Sequence, residues 1–103
     1  MIDPGMIRKL QKDLQIRMEK MKEDLQKLTV EGTAGGGVVV VVSNGNSEIQ
    51  SVKIKPEAID PEDPEMLQDL ILAATNQALT NARALNENKV SEITGGLALP
   101  GFF

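Results

Sequence analysis

At 103 residues the chain has room for one small domain. Phe102 and Phe103 are its only aromatic residues, and it contains neither cysteine nor histidine, which excludes a disulfide frame, a thiolate metal site and histidine acid–base chemistry. Its net charge is −4 and its pI about 4.8, opposite in sign to the basic profile expected of a nucleic-acid binder.

The core must be built from Val, Ile, Leu, Met and Ala. Aromatic side chains bury the most area per residue, so a monomer lacking them has little to spare. Part of the apolar surface is therefore expected to lie between subunits, most simply in a twofold homodimer. No apolar run approaches the roughly 20 residues that span a membrane, and the N-terminus lacks a signal-peptide pattern. A cytoplasmic location is expected, with no membrane partner, no small-molecule substrate and no cofactor or metal.

In chain order, residues 1–5 read as a flexible leader, with Pro4 and Gly5 blocking helix before Met6. Residues 7–28 read as one long amphipathic helix, with Ile7, Leu10, Leu14, Met18, Met21, Leu25 and Leu28 at spacings of 3 or 4. From Leu14 the steps alternate as in a coiled-coil seam. This segment carries a local net charge of +3, and the rest of the chain carries −7. Basic charge is thus concentrated on one arm, and the arm has a seam to pair with something.

A three-stranded antiparallel meander is expected next, over about 28–34, 37–43 and 48–55. Gly32 marks a bulge or bend, and Gly35-Gly36-Gly37 a turn. The five valines Val38–Val42 form a strand apolar on both faces, hence central and covered on both sides. Asn44-Gly45 is a hairpin signal, because both residues tolerate positive φ. Ile49 breaks the alternation of the third strand, which points to a bulge near Ser51.

Pro56 ends the meander, and residues 56–59 suit one helical turn. Asp60-Pro61-Glu62-Asp63-Pro64-Glu65 is a helix-start signal: Asp caps, Pro fits the first turn, and acids suit the positive end of the dipole. A second long helix should run from about Asp63 to Ile93. Its stripe is Leu67, Leu70, Ile71, Ala74, Ala78, Ala82 and Leu85, narrowing to alanine where another element can approach closely. Residues 94–103, punctuated by Gly and Pro, read as a loosely ordered tail. Its Leu97, Leu99, Phe102 and Phe103 suit docking on a partner, packing back on the dimer, or mobility equally well. The fold class is α+β, a single domain over 6–93.

The segments VEGTAGGGVVVVV, PEDPEMLQDLILAATNQA and GGLALPGF follow in that order behind a charged, Met-bearing helix. Together they resemble the YbaB/EbfC family of bacterial nucleoid-associated proteins, over nearly the whole chain from about Met6. The resemblance implies a small cytoplasmic homodimer whose sheets join at the centre and whose long helices project as paired arms. It also implies binding of duplex DNA with little sequence preference, organisation of the chromosome and effects on expression. DNA contacts in the family are attributed to the arms, which here are the first helix and the far part of the second.

The charges bear on this independently. At 100° per residue from Leu14, Lys9, Lys12, Lys20 and Lys27 fall between about 160° and 240°, opposite the apolar stripe. Cations displayed there would displace the counterions condensed on a duplex. Glu19 and Glu23 share the face, so a second reading stands beside the first: interleaved Glu and Lys that merely keep the helix solvated. The residues expected to meet DNA are Arg8, Lys9, Lys12, Arg17, Lys20 and Lys27, aided by Arg83 and Lys89. No aromatic platform for single strands is present. The runner-up function is a protein-interaction adaptor using the seam and the apolar tail.

Other patterns favour structural readings. Gly35-Gly36-Gly37 leads into a strand rather than a helix, with no Lys-Ser/Thr following, so it is a turn and not a phosphate loop. The acidic run 60–65 lacks calcium-loop spacing and fits helix capping. No serine has a histidine to activate it, so an enzyme is not expected.

Overall fold

A computed structural model describes residues 3–93, and the tail 94–103 lies outside the described residues. The elements are α1 (Pro4–Lys27), β1 (Thr29–Ala34), β2 (Val39–Asn44), β3 (Ile49–Ile54), a short 3₁₀ turn (Pro56–Ala58) and α2 (Pro64–Ile93). The strands form one antiparallel sheet in the order β1-β2-β3. This is the α+β arrangement of two long helices flanking a three-stranded meander. The molecule is elongated, 71 × 24 × 16 Å.

Helix α1 begins earlier than its sequence suggests. Asp3 is the N-cap, its carboxylate accepts the Gly5 N–H at 3.1 Å, and Pro4 and Gly5 form the first turn rather than blocking it. The physical reason is that proline is preorganised for the first helical position, where its missing N–H is no loss.

The valine strand β2 is central. Val39 and Val41 face α2 and are fully buried against Ala74 and Ala78. Val40 and Val42, on the opposite face, are only half-buried. Expected cover on both faces is thus corrected within a single chain: α2 covers one face only, because the chain's other long helix leaves the sheet as an arm.

Glycine makes the α2 packing possible. A Cβ on Gly32 would collide with the Ala74 carbonyl and the Ala78 amide. Gly32 pairs in regular register with Val41, so of the bulge or bend expected there the bulge is absent, and the residue serves close approach. The alanine stretch of α2 is the matching surface, with Ala74, Ala78 and Ala82 all fully buried.

A register shift does occur on β3. Val42 pairs with Ser51 and Ser43 with Ile49, leaving Gln50 as the extra residue. The shift returns Ile49 to the face of Val52 and Ile54, which repairs the broken alternation.

The three turn glycines Gly35, Gly36 and Gly37 all have positive φ, as a β1–β2 turn of that composition requires. The Asn44-Gly45 turn works differently from its sequence signature. Neither residue has positive φ; Ser47 does, at 62°. The Asn44 side-chain oxygen instead accepts the N–H groups of Asn46 (2.9 Å) and Glu48 (3.0 Å), an Asx-type organisation of the turn. Gly45 is small because it abuts α1. A Cβ there would lie 2.6 Å from Leu25 Cδ2.

That abutment roots the arm. The Gly45 N–H donates to the Leu25 carbonyl at 2.8 Å and the Leu28 carbonyl at 3.0 Å, satisfying acceptors at the C-terminus of α1. Asn46 Nδ2 donates to the Lys22 carbonyl at 3.0 Å. Leu25 of α1 is fully buried at this junction.

Candidate nucleic-acid interface

The path of the chain sorts its charge. β1 carries the chain from the root of α1 to the glycine turn at the far end of the sheet. Helix α2 begins there, with Leu70 beside Gly35, crosses β1 at Gly32, and ends alongside α1. The acidic residues Glu57, Asp60, Glu62, Asp63, Glu65 and Asp69 therefore sit at the end opposite the arm. Several of them have local structural roles: Asp60 accepts the Glu62 N–H and Asp63 caps α2 through the Met66 N–H.

Every residue of α1 from Pro4 to Lys20 is exposed. Lys9, Lys12, Lys20 and Lys27 rise along its outer face over about 27 Å at 1.5 Å per residue. None of these four, nor Arg8, has an ion-pair partner among the described residues. Arg8 lies off the centre of that face, toward Gln15 and Glu19. Arg17 is committed differently, with its guanidinium 3.3 Å from the Asp13 carboxylate one turn earlier.

A groove between α1 and α2 gathers Arg17, Lys20 and Lys89 with Asp24 and Glu92, over Met21 and Ile93. It holds about 250 Å³. Lys89 is 3.5 Å from Glu92. Three of the sequence-predicted cations are thus brought together from two helices. Lys27 stands apart at the root, where it suits the negative end of the helix dipole. Arg83 also stands apart on α2 and donates to Thr80 Oγ1 at 3.3 Å.

The inner side of the arm is a larger groove of about 540 Å³, walled by the seam residues Leu14, Met18 and Met21 together with Lys22, Asn46 and Asn86. Leu10 and Leu14 are 62% and 40% exposed, so the seam is unfilled within one chain. Two features of the arm escaped sequence reasoning. Lys22 lies near the seam rather than on the outer face. Ile16 is 55% exposed on the side away from the seam, and the signal that would have found it is an apolar residue out of step with the 3–4 rhythm.

Among the described residues no group of three or more His, Cys, Asp or Glu is placed to hold a metal, and no helix is long and apolar enough to cross a membrane.

A family model for the YbaB/EbfC DNA-binding family matches residues 3–97. The chain belongs to the YbaB/EbfC family. A nucleoid-associated protein of Pelotomaculum thermopropionicum is 52% identical over 97 residues, covering 94% of this chain and 89% of that protein. A nucleoid-associated protein of Bacillus cereus is 56% identical over 84 residues, 82% of this chain and 77% of its own length. The crystal structure of the uncharacterized protein HP0035 from Helicobacter pylori superposes with a TM-score of 0.77 at 22% identity, over 95% of this chain and all of that one; at that identity it speaks for the fold. The family is described by DNA binding.

Proposed function

We propose that this chain is a nucleoid-associated protein that binds duplex DNA as a homodimer, mainly through phosphate contacts and with little sequence preference. In this reading it acts in the cytoplasm on the nucleoid, organising the chromosome and influencing expression. The observation that carries the reading is the separation of charge. Lysines with no ion-pair partner among the described residues line an exposed helix at one end of a long molecule, and the carboxylate run lies at the other end. An acidic chain can bind a polyanion in this way because exposed charges beyond about 10 Å are largely screened at 0.1 M salt. The contacting set is Lys9, Lys12, Lys20 and Lys27, with Arg8, Arg17, Arg83 and Lys89 supporting.

The dimer is supported by unused apolar surface. Ile49 and Val52 on β3 are 42% and 46% exposed, although they share the core-facing side of the sheet. At the opposite edge, Gln77 Oε1 accepts the Thr33 N–H (2.6 Å) and Asn81 Nδ2 donates to the Glu31 carbonyl (2.8 Å). β1 is thereby occupied by its own helix, and β3 is the margin left for a second copy.

The adaptor reading is favoured by one observation, the unfilled inner groove. A gel shift on unrelated duplexes at low and moderate salt separates the two. Phosphate contact gives binding on every duplex that fades as salt rises; absence of binding at any salt leaves the adaptor. Changing Lys9→Ala together with Lys12→Ala should weaken binding equally on unrelated sequences. It should also flatten the log–log salt dependence by about 0.9 for each phosphate that is no longer neutralised.

A further inference from the structure

The outer face of α1 is not purely charged. Ile16 stands on it at 55% exposed, and Met6 and the seam residue Leu10, at 60% and 62%, run from it toward the seam. With Lys9, Lys12 and Asp13 they line a shallow groove of about 440 Å³. Ile16 lies one helical turn from Lys12 on one side and from Lys20 on the other, so the three share a face. It takes no part in the core, and it is off the seam. Isoleucine, being β-branched, also forms helix less readily than lysine or alanine at such a position.

We propose that Ile16 enters the minor groove of bound duplex DNA while Lys12 and Lys20 hold phosphates on its two rims. The inference rests on the reading that α1 binds duplex DNA. The charge pattern selects the occupant. Lys9, Lys12, Lys20 and Lys27 have no ion-pair partner among the described residues and outnumber Glu19 and Glu23 on the face, and Asp13 is paired with Arg17. A second copy of the arm, itself carrying a net +3, would place like charges together on this face. A duplex instead offers anionic rims beside a less charged groove floor. Lys12 and Lys20 are eight residues apart, about 12 Å along the helix axis. Their flexible side chains can straddle a groove about 6 Å wide between its phosphate walls. Isoleucine is among the apolar wedges that unstack a base step and bend the duplex when inserted there.

The test uses the full chain and a short duplex labelled at both ends. Ile16→Ala keeps the helix, since alanine is the best helix former, and circular dichroism checks this. The wild type should draw the duplex ends together. Ile16→Ala should bind about tenfold more weakly, as removal of a buried aliphatic side chain implies, with an unchanged salt slope and straight DNA. Ile16→Lys should bind without bending and steepen the salt slope by about 0.9. Equal affinity and equal DNA shape for wild type and Ile16→Ala would overturn the proposal while leaving DNA binding intact. Dissociation of the oligomer by Ile16→Ala in sedimentation would also overturn it, assigning Ile16 to contact between copies. Failure of the wild type to bind at low salt would remove the DNA reading, and this inference with it.

Discussion

In the proposed DNA-binding role, single side chains on α1 set how strongly the arm holds a polyanion. Glu23 sits between Lys20 and Lys27 on the outer face, three and four residues away, where it offsets both. Glu23→Gln should therefore tighten duplex binding, by about two- to fivefold at low salt, with the gain fading as salt screens it; fluorescence anisotropy across a salt series measures this. At the root of the arm, Asn44 is 1% exposed and its amide oxygen organises the turn. Asn44→Ala leaves two backbone donors without that acceptor. It should cost about 1–3 kcal/mol in urea unfolding, and the arm's attachment through Gly45 should loosen with it.

Among the elements, the tightest constraint is where α2 crosses β1. Gly32→Ala drives a methyl group into the α2 backbone at Ala74 and Ala78. Neither element can yield without unpacking Val39 and Val41, so a loss of about 3 kcal/mol or more is expected in chemical unfolding, at the upper end of overpacking effects. Most of these elements were legible from sequence. The 3–4 spacing of the stripe of α2, the valine run, the glycine turn and the Asp-Pro helix start each follow from local chemistry, and all are found. Features that depend on a distant segment were not legible. The role of Gly32 depends on a helix over forty residues later in the chain, and that of Gly45 on the end of α1. The bulge at Gln50 was visible because Ile49 disturbed a two-residue alternation. For the interface, the lysines of the outer face were legible from the helical wheel. The gathering of Arg17, Lys20 and Lys89 was not, since it depends on how far α2 extends along α1.

The whole molecule behaves as a rod with unlike ends. From Glu65 to Lys89 along α2 is about 36 Å, several Debye lengths at physiological salt. Replacing Glu57, Glu62 and Glu65 together by glutamine should therefore leave duplex affinity within about twofold at 0.15 M salt. The same chain should gain affinity at very low salt, where the far carboxylates are felt, and titrations at both ionic strengths check the pair of outcomes. A last consequence concerns the pair of amides, Gln77 and Asn81, that occupy the backbone of β1. A sheet stoppered on one side can be lengthened only from the other, and joining two such sheets through their free sides leaves a product with both sides stoppered. In the proposed homodimer growth would end at two, and the runaway stacking that exposed strands invite would be forestalled. Removing the stopper with Gln77→Ala and Asn81→Ala should convert a self-limiting particle into one that forms fibrils on standing, visible by thioflavin fluorescence.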